Sequence, residues 1–462
     1  MKRIGKYEIC GLLGKGGMSV VYKARLPLVG KYVALKELHP HPHLLASWGE
    51  ERTRDHFIGE ARAIAALRHP NVVEMLDFDE ADGRPFFTME YYYRSLGTIL
   101  GEAAVMEAPC RQLSIDKVIH YTRQLLDGLG RLHRAGVVHR DIKPHNLLVT
   151  EDDRLKICDF GLTRLRGEPG QGPSGGVVVG SPYYAAPEQE RDPESIDARA
   201  DLYSVGIVVC RMLSGLFPES SGLRHIVERP DAGKAWRAWI ERAIHPCVDL
   251  RFADAQQMRR DLEDLAACWD RRKTLFCPGG ENALPHATGV GQPRAHRSEP
   301  VKVLPREAPE VFGCDPLLRP RILVMNEFEL RAEGKVVLDR STHLLWERSD
   351  WPDPMDWDEA LVYVDRLNKD GYAGERSWRL PTVPEMLSLS HDPAEPTTAC
   401  GTSPLDSEHK RFWTCDRKTF CASWYVDTEL GYAGWSDRTG RFFVRGVTEA
   451  TAALRPASRS DD

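Results

Sequence analysis

The segment His139-Arg140-Asp141-Ile142-Lys143-Pro144-His145-Asn146-Leu147-Leu148 constrains this chain more than any other. After a turn at Asp152-Asp153 it is followed by Leu155-Lys156-Ile157-Cys158-Asp159-Phe160-Gly161. Two acids, an amide and a lysine recur here at short, fixed spacing between apolar β-prone runs. A purely structural loop has no reason to combine them in this order.

Two upstream elements give the segment its chemical meaning. Gly14-Lys15-Gly16-Gly17-Met18-Ser19-Val20-Val21, between Leu12-Leu13 and Val21-Tyr22-Lys23-Ala24, reads as strand, glycine turn, strand. Its backbone amides can approach phosphate oxygens, although an ordinary hairpin turn reads the same way in isolation. Val33-Ala34-Leu35-Lys36 is an apolar strand carrying one lysine, whose ammonium is costly to bury without a partner. Glu60, in the helical run Phe57-Ile58-Gly59-Glu60-Ala61-Arg62-Ala63-Ile64, is the expected partner; the bland alternative is a solvated surface pair.

Phosphoryl transfer needs a carboxylate to orient the hydroxyl, hard oxygen ligands for Mg²⁺, and cations for the moving charge. Asp141 suits the first role, Asn146 with Asp159 the second, and Lys36 with Lys143 the third. The ordered set implies ATP with Mg²⁺ as the phosphate source.

On these motifs, residues 7–268 resemble the Hanks-type protein kinases, most closely their bacterial Ser/Thr branch. The resemblance implies a two-lobed α+β kinase fold and a non-specific Ser/Thr protein kinase. It places Leu13, Gly14, Gly16, Val21, Ala34, Lys36 and Leu148 around the nucleotide, Met89 as gatekeeper, and Glu90 to Tyr92 as the hinge facing the base. It assigns catalysis to Asp141, Lys143, Lys36 and Glu60, and the metal to Asn146 and Asp159. Lys143, two residues after Asp141, is the Ser/Thr form of the loop, so protein Ser/Thr hydroxyls are the expected acceptors. Ser19 stands where the third glycine is usual, and Ser181 where threonine is usual before Ala185-Ala186-Pro187-Glu188. Glu188 is expected to pair with Arg251, and Asp201 to brace the catalytic loop. Arg140 next to Asp141 implies control by activation-loop phosphorylation, with Thr163, Ser174 and Ser181 as acceptors and Ser174 preferred.

The rest of the chain reads as a second compartment. Residues 269–320 are rich in Pro and Gly, as in Cys277-Pro278-Gly279-Gly280, and are expected to form a linker. Residues 321–449 hold seven of the eleven tryptophans, which implies a second compact domain. Trp357-Asp358-Glu359-Ala360, Trp378-Arg379-Leu380-Pro381-Thr382, Phe412-Trp413-Thr414 and Phe443-Val444-Arg445-Gly446 resemble the Lcl C-terminal domain family, implying a C-type-lectin-like α+β fold. Asp356 and Glu359 read as a capping box rather than calcium ligands, and most tryptophans as core rather than a ligand platform. Cys400, Cys415 and Cys421 carry no assignable chemistry.

The bulk properties narrow the partners. With 62 basic and 68 acidic residues and no long single-sign run, nothing points to nucleic acid. Eleven cysteines without paired CxxC spacing fit a reducing cytoplasm. The N-terminal residues lack a signal-like apolar stretch, and Val205–Leu213 falls short of the roughly 20 residues needed to span a bilayer. The expectation is therefore a soluble, cytoplasmic signalling kinase with autophosphorylation, transient homodimerisation, and an unidentified ligand for the second domain. Two rivals stand beside it: a pseudokinase scaffold, and a binding module tuned by autophosphorylation.

Overall fold

The computed structural model describes residues 2–102, 107–159, 164–165, 183–191, 196–229, 231–276, 297–390, 404–405 and 409–450. They fall into two compact units, Met1–Arg271 and Arg272–Asp462.

The first unit begins with β1 (Arg3–Ile4), β2 (Tyr7–Lys15), β3 (Ser19–Arg25), β4 (Tyr32–Leu38), α1 (Pro42–Trp48), α2 (Glu50–Ala65), β5 (Met75–Ala81) and β6 (Arg84–Glu90). The strands make one antiparallel sheet in the order β1-β2-β3-β4-β6-β5. Side chains alternate faces along a strand. Val33 and Leu35 of β4 therefore enter a core with Ile4, Tyr7, Ala24 and Phe86, while Ala34 and Lys36 take the other face. Their cross-strand neighbours, Met89 opposite Ala34 and Val21 opposite Lys36, share that face. Beyond β4 the chain stays beside the glycine turn. The His39 N–H donates to Met18 O at 2.9 Å and the His41 N–H to Gly17 O at 2.7 Å. Helix α2 begins at Glu50, about two turns before the expected Phe57, because its first turns are polar and bury only Thr53, while the apolar residues Phe57, Ala61 and Ile64 are buried later.

The larger lobe is helical, as expected. It contains α3 (Leu96–Leu100), α4 (Ile115–Arg134), β7 (Val137–Val138), β8 (Leu147–Val149), β9 (Leu155–Ile157), β10 (Arg164–Leu165), α5 (Pro187–Arg191), α6 (Arg199–Ser214), α7 (Leu223–Glu228), α8 (Lys234–Ala243) and α9 (Ala255–Phe276). Ser114 caps α4, accepting from the Lys117 N–H. The apolar face of α4 buries Val118, Leu125, Leu126, Leu129 and Leu132, each stabilising by roughly 1.5–3 kcal/mol relative to exposure. Gly128 lets this helix close onto β9: a Cβ there would lie 2.8 Å from Ile157 Cδ1 and 2.9 Å from Asn71 O. Among the described residues one helical stretch, Arg199–Glu228, is long and apolar enough to cross a membrane. It has left-handed backbone at Ser221 and its apolar window is 89% buried, which makes it the core helix of this lobe.

The second unit holds α10 (Ala308–Val311), β11 (Phe328–Arg331), β12 (Val336–Asp339), β13 (Leu344–Glu347), α11 (Trp357–Asp370), α12 (Val383–Leu387), β14 (Arg411–Arg417), β15 (Ala422–Asp427), β16 (Tyr432–Asp437) and β17 (Val447–Glu449). They form two antiparallel sheets, β11-β12-β13-β17 and β14-β15-β16. Asp356 and Glu359 do make a reciprocal capping box on α11. Trp346, Trp413 and Trp424 have no exposed surface, Trp357 and Trp378 are buried, and only Trp351 and Trp435 reach solvent substantially.

The expected linker at 269–320 requires correction at both ends. Helix α9 runs on to Phe276. Residues from 297 onward belong to the core of the second unit, where Val303, Ala308, Phe312 and Cys314 are buried. The Val303 N–H donates to Arg417 O at 2.8 Å, Phe312 packs edge-on against Trp424 at 5.1 Å, and Arg297 forks onto buried Asp416 at 2.8 and 2.6 Å. Proline and glycine content masked these apolar positions because their partners lie about a hundred residues away.

Candidate active site

Lys36 is 3% exposed, and its ammonium lies 2.6 Å from Glu60 Oε1 and 3.0 Å from Asp159 Oδ1. Burial works against the charged lysine, but Asp159 and Glu60 outweigh it and raise its pKa above the ordinary value. The attraction of Lys36 holds the Asp159 carboxyl down at about 2, against the opposing effect of burial. Glu60 is pushed upward by burial, with Lys36 opposing. The solvated-surface reading of the Lys36–Glu60 pair is thus excluded by its depth.

Asp141 and its neighbours form a second cluster. Asp141 Oδ2 accepts from Lys143 Nζ at 2.7 Å and from Asn146 Nδ2 at 2.9 Å, and Asn146 Nδ2 also donates to Asp141 O at 2.8 Å. With the amide nitrogen so engaged, the carbonyl oxygen of Asn146 is the end left to serve as a hard ligand. Backbone pairing ties this loop to the Asp159 segment, since the Cys158 N–H donates to Asn146 O at 2.9 Å.

The backbone here is held in unusual conformations. Arg140 and Asp159 have φ of +67° and +63°, a region that side chains other than glycine adopt only when their surroundings over-determine it. Asp201, fully buried, supplies part of that constraint: Oδ2 accepts from the His139 N–H at 2.9 Å and Oδ1 from the Arg140 N–H at 2.8 Å. Glu188 and Arg251 form a two-pronged pair at 2.6 and 2.8 Å. Both contacts match the expected structural roles.

The glycine turn tests whether a phosphate group fits. A Cβ at Gly14 or Gly17 would meet nothing within 4 Å, and neither has left-handed backbone. The protein's own packing and backbone therefore do not demand glycine there, and the missing side chains leave room for a ligand at the amides. Ser19 begins β3, an interior strand, opposite Leu38, and its side chain is accommodated there, buried. Among the described residues no three His, Cys, Asp or Glu side chains cluster as a metal cage. One carboxylate and one amide oxygen, completed by substrate oxygens and water, is the donor set Mg²⁺ accepts.

The structure thus brings together Lys36, Glu60 and Asp159, and separately Asp141, Lys143 and Asn146, while sheet register puts Val21, Ala34 and Met89 on the Lys36 face. Leu13 and Gly16 lie in the β2–β3 hairpin, Glu90 ends β6, Tyr92 follows it, and Leu148 sits on β8. Phe160, Gly161, Thr163, Ser174, Ser181 and Cys400 lie outside the described residues. Sequence reasoning missed two supports. His139, fully buried, accepts from the Asp141 N–H at 3.3 Å and meets Cys158 O at 3.0 Å; its place in the motif was visible, its role was not. Gln189, which donates to Arg140 O at 2.9 Å, carries no sequence signal at all.

Residues 7–268 match the model for the protein kinase domain, and residues 335–448 match that for the Lcl C-terminal domain. The chain is 38% identical to serine/threonine-protein kinase pkn3 of Myxococcus xanthus over 297 residues, which is 59% of this chain and 52% of the relative. It is 33% identical to PksC of Streptomyces coelicolor over 312 residues, 62% of this chain and 53% of that kinase. With PknL of Mycobacterium tuberculosis it shares 33% identity over 275 residues, 56% of this chain and 66% of the relative. The chain thus spans about half the length of the first two.

Proposed function

Because the chain belongs to the protein kinase domain family, we propose that it transfers the γ-phosphoryl group of ATP to Ser or Thr hydroxyls of proteins. The observation that carries this reading is the pairing of buried Lys36 with both Glu60 and Asp159, beside a loop in which Asp141 is held by Lys143 and Asn146. Mg²⁺-ATP supplies the electrophilic phosphoryl group and the metal's charge.

The chain's own residues do the rest. Val21, Ala34, Met89 and Leu148 offer an apolar surround for the base, with Glu90 to Tyr92 as hinge. Lys36 presents an ammonium kept charged by two carboxylates, Asn146 and Asp159 offer the metal-facing oxygens, and the glycine turn from Gly14 to Gly17 meets phosphate. Asp141 orients the acceptor hydroxyl and takes its proton, while Lys143 keeps that carboxylate in place and offsets charge on the moving group.

Residues 7–268 are read as the catalytic domain. The second unit, with its two antiparallel sheets and one long helix, α11, among the described residues, is read as a C-type-lectin-like module that binds a ligand or partner and directs phosphorylation. Autophosphorylation, transient homodimerisation and a cytoplasmic location complete the proposal.

The test is transfer of radiolabelled γ-phosphate by the purified chain beside Asp141→Asn, with mass spectrometry to place the phosphate. Incorporation lost in the variant supports the proposal. A wild type that binds nucleotide but incorporates nothing, with protein substrates supplied, replaces it with a scaffold.

A further inference from the structure

Glu90 ends β6 at the hinge, and its carboxylate gathers contacts from three directions. Lys156 Nζ of β9 lies 2.8 Å from Glu90 Oε2, and the Glu74 N–H donates to the same oxygen at 3.3 Å. The Tyr92 hydroxyl bonds to this carboxylate as well, and the Lys156 ammonium lies 5.8 Å from the Tyr92 ring centre. The side chains of Lys156 and Glu90 are only 13% and 27% exposed, so the pair is shielded more than an ordinary surface pair.

Its position gives it more than a packing role. Lys156 is three residues before Asp159 and sits opposite Leu148 in the β8–β9 ladder. The next residue, Ile157, is anchored on both sides: it donates to Asn71 O at 2.9 Å and accepts from the Val73 N–H at 3.0 Å. The backbone of Glu90 is held in turn by Glu74 O at 3.3 Å. The short segment 71–74 is therefore pinned between the hinge and the strand that leads to Asp159, and Glu90 is where these restraints meet.

We propose that Glu90 and Lys156 form a positioning pair that locks the hinge to the Asp159 strand and thereby sets the affinity of the nucleotide site. This rests on the kinase reading above, and it concerns binding rather than the transfer step. Neither carboxylate nor ammonium touches the reacting atoms; both act through the hinge peptide and through β9. A charge-assisted bond that fixes a binding surface in advance lowers the ordering cost of the ligand.

The test measures ATP affinity by calorimetric titration of the full chain with Mg²⁺-ATP, together with kcat, KM for ATP and Tm, in Glu90→Gln, Lys156→Met, Lys156→Arg and the double variant E90Q/K156M. The expected result is a rise in Kd and KM for ATP of roughly tenfold in E90Q and K156M, the scale of one charge-assisted hydrogen bond, with kcat at saturating ATP in K156M changed less than about twofold. K156R should recover most of the affinity, and the double variant should be no weaker than the worse single one, because the two side chains act as one unit. Lowered Tm with unchanged Kd and KM would overturn the proposal, reducing the pair to a stabilising contact; so would strictly additive losses. A wild type that binds no ATP would overturn the nucleotide-site reading and the role of this pair with it.

Discussion

Lys36 and Glu60 meet at 2.6 Å with side chains only 4% and 2% exposed, a charge pair almost entirely removed from water. Deleting one partner of such a pair leaves the other charge uncompensated, at a typical cost of about 3–5 kcal/mol. Lys36→Met should lower stability by less than that range implies, since Glu60 is already displaced toward protonation by burial and can shed its charge. Phosphate transfer should fall by at least about a hundredfold, as expected when a preorganised electrostatic group is lost. Urea unfolding and transfer kinetics on the same preparation check both; retained transfer would remove Lys36 from the site.

The acid limb of stability should carry the mark of Asp159. Its folded pKa, about 2, lies below the ordinary carboxylate value of about 3.9. The folded state then binds fewer protons than the unfolded one, so the stabilisation is complete above about pH 4 and is lost as pH falls toward 2. Half of the Asp159 side chain reaches solvent, so screening keeps the effect small. The stability difference between wild type and Lys36→Met should narrow steadily from pH 5 to pH 2 in denaturant titrations. A difference independent of pH would show that Lys36 does not hold Asp159 down.

Arg251 fastens α5 through Glu188. Its side chain is fully buried, forks onto Glu188, and donates to His245 O at 2.7 Å. Arg251→Met should lower the Tm of the kinase unit by roughly 10 °C, from a loss of about 3–5 kcal/mol. Arg251→Lys keeps the charge but not the fork, so it should fall between the two. Differential scanning calorimetry decides; equal melting of all three would deny the pair a structural role.

Phe312 tests the revised boundary of the second unit. Phe312→Ala should destabilise that unit by about 3–5 kcal/mol, as for other buried phenylalanines, and the loss should appear in tryptophan emission because the ring packs on Trp424. A linker residue would show no change in the unfolding midpoint.

Legibility tracked sequence distance. The Asp141–Asn146 contact spans five residues, and the caps at Ser114 and Asp356 span three, so local pattern was enough to read them. Lys36–Glu60 spans more, yet a lysine in an apolar strand declared its need for a counter-charge; Glu188–Arg251, more distant still, came only from the family resemblance. What stayed hidden was pairing without such a declaration. Val303 finds Arg417 and Arg297 finds Asp416 across the whole second unit, through backbone bonds and a carboxylate that no local period marks. The early start of α2 was hidden because its first turns bury only a polar residue, Thr53, and an apolar repeat reports only the apolar buried part of a helix. The resemblance implied a hinge at Glu90, while nothing local marks its carboxylate as the partner of Lys156.

The bonds from His39 and His41 to the glycine turn have a consequence for observing this protein at work. Pro40 and Pro42 flank His41 and carry no N–H, so in this stretch only those two amides report on the turn. Their protons are engaged when the turn lies down against β4 and released when it lifts. Deuterium uptake at His39 and His41 is therefore a gauge of how often the glycine turn parts from this stretch, one that needs no label and no substrate.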